Sequence, residues 1–257
     1  MDTPKPNPDF NPDLTQVLSG WPYQPGQINA RIIRAEDGEP RIQVRVDLGI
    51  IQMHATGRPD GQRPEGFESL LEFVEHGVEE AEHTGEEPDK LNTDQCRALR
   101  DEAVQYYHRY VALLALEDFE GVVRDTTRNL RVIDLCQKHA ESEEDRNVLE
   151  QFRPYITMVR ARALASQALK DNEPKAAIHA IDEGLDALKQ HFSDNGEPQM
   201  YDASSEVQML RGMREALIPK LPLSQTSELR ARLAKAIEQE NYELAAILRD
   251  ELRQMKD

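Results

Sequence analysis

The chain has 257 residues, with 31 basic side chains against 48 acidic ones and a formal net charge of -17. Its length supports one or two domains of roughly 100 to 200 residues, and its 39% hydrophobic content keeps it out of the disordered class. A nucleic-acid partner is disfavoured, because such binders need a basic face to displace phosphate counterions and a field of this sign repels a polyanion.

Residues 1–20 are rich in proline and lack periodicity, so a disordered tail is expected. The stretch MDTPKPNPDFNPD has acidic residues and prolines where a secretion signal would need a basic stretch and then an apolar one. Three strands come next, over Ile28–Ala35, Arg41–Asp47 and Ile50–Ala55. In the second, Ile42, Val44 and Val46 alternate with Arg41, Gln43 and Arg45, the pattern of a half-exposed strand. Turn residues at 36–40 and Leu48-Gly49 link them as an antiparallel meander.

The acidity is uneven. Residues 1–95 hold 8 basic and 19 acidic side chains, residues 96–220 hold 17 and 22, and residues 221–257 hold 6 and 7. Within the acidic third, Phe67, Leu70, Leu71, Val74 and Val78 recur at helical spacing and predict an amphipathic helix. Its carboxylates read as a solvated face, or as a docking surface for a basic partner. Helix and meander together predict a small α+β domain over 21–84, with a linker after it at 85–92.

From Thr93, read as an N-cap, the chain reads as helix. Helices start near Phe119 and Ser142, Pro154 divides the next helical stretch, and Lys175–His191 and Ala203–Leu217 continue the array over 93–220. Two last helices cover about 226–239 and 242–256. The turns LALEDFEGVV, ALKDNEPKAA and AIEQENYELAA share one plan: a helix end, an acidic or amide pair, an aromatic residue or proline, then small apolar residues. The first two resemble tetratricopeptide (TPR) hairpins, with Phe119 and Pro174 where that repeat has Tyr or Pro and Ala177 at its small position. Val122 and Asn129 depart from it, and the 55 residues from Phe119 to Pro174 exceed the repeat length of about 34. A generic helical bundle is the alternative.

The third turn lies in SELRARLAKAIEQENYELAAILRDELRQMK, residues 227–256. Its core is Ala236-Ile237-Glu238, then Glu240-Asn241-Tyr242-Glu243, Ala245-Ala246, Leu248-Arg249-Asp250 and Leu252. This segment resembles the UVR motif, found in the excision-nuclease subunits UvrB and UvrC, in some Clp ATPases and in the activator of protein-arginine kinase. The family more often has Asp and Phe where Asn241 and Tyr242 stand. With no Walker A loop and no CxxC pair in the chain, those enzymatic functions do not carry over. Leu229, Leu233 and Ile237 share one helix face, and Ala245, Leu248, Leu252 and Met255 share another. A hairpin over 224–257 is too small to bury two such stripes alone. The resemblance implies pairing with a second hairpin, of the same or another protein; docking on the preceding helices is the alternative. The partner-binding set is then Leu229, Leu233, Ile237, Tyr242, Ala245, Leu248, Arg249, Asp250, Leu252 and Met255.

His76 and His83, two helical turns apart, are too far separated to share one metal ion unaided. His54, a lone histidine near Arg58 and Asp60, reads as structural, and Cys96 and Cys136 read as buried apolar residues. Tyr106, Tyr107 and Tyr110 read as core sooner than as a stacking platform for bases. No nucleophile, nucleotide-binding or zinc signature occurs, so no cofactor is expected and the chain is not expected to be an enzyme. Two isolated cysteines suit a reducing compartment, and the longest aliphatic run, Val111–Leu116, is far short of a membrane span. The expected protein is mainly α, bacterial and cytoplasmic, an adaptor or scaffold that touches neither nucleic acid nor membrane. The alternatives are an accessory factor of nucleotide excision repair pairing with excinuclease subunits, and an enzyme with its site in the α+β unit.

Overall fold

In the computed structural model, residues 14–218 are described, together with 233–235, 237, 238 and 249. A short helix α1 (Thr15–Ser19) precedes the strands β1 (Asn29–Arg34), β2 (Pro40–Val46) and β3 (Gly49–His54). These form one antiparallel sheet in the order β1-β2-β3, with Ile42 facing Ile32 on one side and Met53 on the other. The helices after them are α2 (Leu70–Thr84), α3 (Thr93–Ala115), α4 (Phe119–His139), α5 (Glu143–Asn147), α6 (Arg153–Lys170), α7 (Pro174–Asp194) and α8 (Ser205–Leu217). The architecture is thus mainly helical behind a three-stranded meander, as the periodicity predicts. Among the described residues no helix is long and apolar enough to cross a membrane. The chain divides after Met213 into two compact units.

The polar face of β2 differs from expectation. Arg41, Gln43 and Arg45 are buried, not half-exposed. The Gln43 side chain accepts from Arg31 (2.9 and 2.8 Å) and donates to Gln52 (2.8 Å), so a ladder of polar groups runs across all three strands. Residues before β1 fold over it: the Arg31 guanidinium lies 4.1 Å from the Trp21 ring centroid, and Arg45 Nε donates to the Trp21 carbonyl (2.9 Å). The guanidinium planes give the aromatic cover a cation–π surface to rest on.

The acidic helix also finds a different neighbour. Its stripe does not close a separate α+β domain: Leu71 is fully buried in one core with Leu99, Val132, Ile133 and Cys136 of α3 and α4, and Leu70, Val74 and Val78 pack beside it. The sheet packs on α3 through β1 and β2. The segment 85–92 is tied down at its end, where the Leu91 N–H donates to the His139 carbonyl and the Glu141 N–H to that of Leu91, both at 2.9 Å. The acidic helix therefore shares its core with α3 and α4, because an apolar helical stripe is buried most fully where two helices already meet.

The helix ends explain the internal similarity in the sequence. After α3, Glu117 adopts φ 57° and the Asp118 N–H donates to the Leu113 carbonyl; after α6, Asn172 adopts φ 61° and the Glu173 N–H donates to that of Ala168. Both are Schellman caps with a left-handed residue, and each is succeeded at once by a new helix, at Phe119 and Pro174. The α3 start lies one residue earlier than expected, because Asn92, not Thr93, caps it in a reciprocal capping box with Gln95. Where α6 and α7 cross, a Cβ on Gly184 would come 2.5 Å from the Ala161 Cβ, so only glycine permits the approach.

Glu117 holds a backbone conformation that costs an L-residue about 1–2 kcal/mol. Glu117→Gly is expected to stabilise the protein by about 1 kcal/mol in urea denaturation, and Asn172→Gly by less, since asparagine tolerates this region.

Candidate protein-binding surfaces

A buried ionic network joins the loop after β3 to the helices. Arg109 of α3 and Asp125 of α4, 1% and 0% exposed, form a two-point pair at 2.7 and 2.8 Å. The remaining Arg109 nitrogen donates to the carbonyls of His54 (3.1 Å) and Gly57 (2.6 Å), while Arg124 donates to Asp125 and to the Ala55 carbonyl. Further back on α3, Glu102 accepts the N–H groups of Leu70 (2.8 Å) and Leu71 (3.3 Å), the first two residues of α2, and pairs with Arg128. A carboxylate at a helix N-terminus satisfies orphan donors and matches the dipole. Tyr106 sits between the guanidiniums of Arg109 and Arg128, 4.8 and 4.1 Å from its ring. Burial pulls Arg128 down to about 9 and pushes the Tyr106 phenol up to about 12.

The network reaches residues 21–84, where the alternative expectation puts an enzymatic site, through the carbonyls of His54, Ala55 and Gly57 and the N–H groups of Leu70 and Leu71. Its hydrogen bonds run between loop, α2, α3 and α4, which makes it a brace. His54 belongs to the same support: its N–H donates to the Pro59 carbonyl, and its ring lies so close to Gly61 that a Cβ there would be 2.4 Å from Nε2. Gly61 has φ +76° as well. Cys96 and Cys136 are fully buried in the core, and burial pushes the Cys136 thiol up to about 12. His76 lies 3.5 Å from Glu80 on the surface of α2.

The tyrosine cluster divides. Tyr106 and Tyr110 are buried, but Tyr107 is 41% exposed and meets Tyr110 edge-on with centroids 5.4 Å apart. Tyr107 borders a groove of about 560 Å³ between α3 and α6, floored by Ile133 and Ile156 and walled by Val104, Tyr107, Phe152 and Tyr155. Val104 and Phe152 are half exposed. Exposed large apolar side chains converging on one concavity mark a surface suited to a protein partner. The sequence pattern points to core at Tyr107; the signal for the groove is that apolar residues exceed what one face of α3 can bury, with Val104 and Tyr107 beside the Tyr106–Tyr110 stripe.

Of the partner-binding set read from the sequence, Leu233, Ile237 and Arg249 are described, and all three are helical. Leu233 is half-buried and Ile237 is 53% exposed. Leu229, Tyr242, Ala245, Leu248, Asp250, Leu252 and Met255 lie outside the described residues.

Comparison with known families places one match on the chain: the UvrB/uvrC motif, over residues 224–257. No curated protein and no solved structure matches the chain.

Removing one member of a buried ion pair leaves the other charged and without a partner, at a cost of about 3–5 kcal/mol. Asp125→Leu is expected to lower stability by that amount in urea denaturation. Adding Arg109→Met to it should recover a large part of the loss, since no uncompensated charge then remains.

Proposed function

We propose that the protein is a non-catalytic adaptor of the bacterial cytoplasm, assembling through its UVR hairpin. The carrying observation is the UvrB/uvrC motif at 224–257, a motif that mediates protein–protein interaction in UvrB and UvrC. The two apolar stripes, Leu229, Leu233 and Ile237 on one helix and Ala245, Leu248, Leu252 and Met255 on the other, need more surface than a lone hairpin supplies. Ile237, a member of the first stripe, is 53% exposed, which fits a side chain open to a partner. Pairing is apolar in character, because residues 221–257 are nearly neutral while the charge of the chain lies elsewhere. In this reading the array over 93–220 is TPR-like and holds a client in the groove between α3 and α6. In the same reading Arg249-Asp250 sets the register of the pairing, and Tyr242 belongs to the partner-binding set.

The same match favours a second reading, an accessory factor in nucleotide excision repair that pairs with excinuclease subunits. The two readings differ in the partner recovered.

Pull-down from native lysate with the intact chain beside a Leu233→Asp, Leu252→Asp double mutant separates them. Partners lost from the mutant belong to the hairpin, and excinuclease subunits among them select the second reading. Size-exclusion chromatography with light scattering, on the full chain and on one ending at Pro222, reports self-association as a drop in mass. Unchanged mass and an unchanged partner set together would overturn the adaptor reading and leave the hairpin docked on its own chain.

A further inference from the structure

The two sides of α2 differ in how their carboxylates are used. Toward α4, Glu75 pairs with Arg131 and Glu82 with Lys138. The other side borders a groove of about 1180 Å³, between α2 and the segment leading into α3. Its apolar lining comes from Phe67, Phe73, Val74, Val78, Ala81 and Leu91, with Phe73 40% exposed. Glu80, Glu86, Glu87 and Asp89 border the same groove, which no Lys or Arg lines; Glu79 also lines the cleft toward Arg131 and Lys138 of α4. Among the described residues none of Glu80, Glu86, Glu87 and Asp89 has a Lys or Arg in a salt bridge; Glu80 meets His76.

Gly77 is a separate observation. It lies in the interior of α2, where glycine is less stable than alanine because it loses more backbone freedom. Some glycines of the fold have an internal reason, as Gly184 admits Ala161 and Gly61 admits His54 at positive φ, while Gly212 of α8 has open space around it. Gly77 has no such reason, since a Cβ there would meet nothing within 4 Å. It borders the groove one turn before Ala81, so the two form a low strip along which another backbone can lie close to α2.

We propose that this groove docks a basic amphipathic helix of a partner protein, its apolar stripe laid over Gly77, Ala81 and Phe73 and its Lys or Arg side chains meeting the unpaired carboxylates. The helical form follows from the strip of small residues running along an α-helix of 15 residues, and the basic character from the sign of the walls. The site uses no residue of the UVR segment and adds an electrostatically selective docking surface to the apolar ones.

The test is fluorescence anisotropy on the full chain with three labelled peptides, each of about five helical turns. The first is a Leu/Lys helix with one apolar face, the second has Glu in place of every Lys, and the third has the Leu/Lys composition scrambled to remove the face. Wild-type protein should bind the first at least tenfold more tightly than either of the others. Gly77→Leu fills the strip without altering charge and should weaken that binding at least tenfold, with a melting temperature equal to or above wild type because the helix gains a better former. Equal binding of the scrambled peptide, unaltered binding by Gly77→Leu, or no binding of the first peptide would each overturn the proposal.

Discussion

Arg109 has 1% of its side chain exposed, so its charge must be answered inside the protein, and the answer organises the first unit. Asp125 supplies the opposite charge from α4, and the carbonyls of His54 and Gly57 take the remaining donor. A guanidinium offers five donors in a fixed fork, which lets one side chain hold a second helix and a loop at once. Glu102 repeats the device with the sign reversed, joining Arg128 of α4 to the first N–H groups of α2. Sheet, acidic helix and array are thereby registered on α3. The residues between β3 and α2 form no regular strand or long helix, and fixed charges are what hold them in one arrangement.

The helical part is organised by a different constraint. Two turns, at Glu117 and Asn172, use the same left-handed cap and start the next helix within two residues. Short turns of this kind force antiparallel neighbours, and small side chains then decide how closely the neighbours approach. Ala161, Ala163 and Ala165 are buried in α6, and Gly184 meets Ala161 from α7. Val104 and Tyr107 of α3 and Phe152, just before α6, stay exposed at the groove between these helices.

Charge and apolar contact are thus divided among surfaces. The α3–α6 groove is apolar, the α2 groove has an apolar floor with acidic walls, and the hairpin segment is nearly neutral with two apolar stripes. A net charge of -17 describes none of the three by itself. Steering by charge acts on encounter and on the exclusion of wrong partners, whereas apolar stripes supply contact area that is insensitive to salt.

The periodicity of the chain carried the three strands, the order of the helices and most of their limits, because alternation and helical spacing are local properties of a few neighbouring residues. The UVR resemblance was equally legible, being written in about 30 contiguous residues that family comparison matches at 224–257. Burial of charge was not. Arg109 and Asp125 stand 16 residues apart on two helices, and each reads in isolation as an ordinary surface charge. Arg41, Gln43 and Arg45 read as solvent-facing until Trp21 is folded over them, and the glutamates of α2 look alike until α4 supplies Arg131 and Lys138 to one side only. Which polar groups are paired depends on residues distant in sequence, so the sequence determined the elements and the motif, and only the tertiary structure decided which charges brace the core and which stay open to a partner.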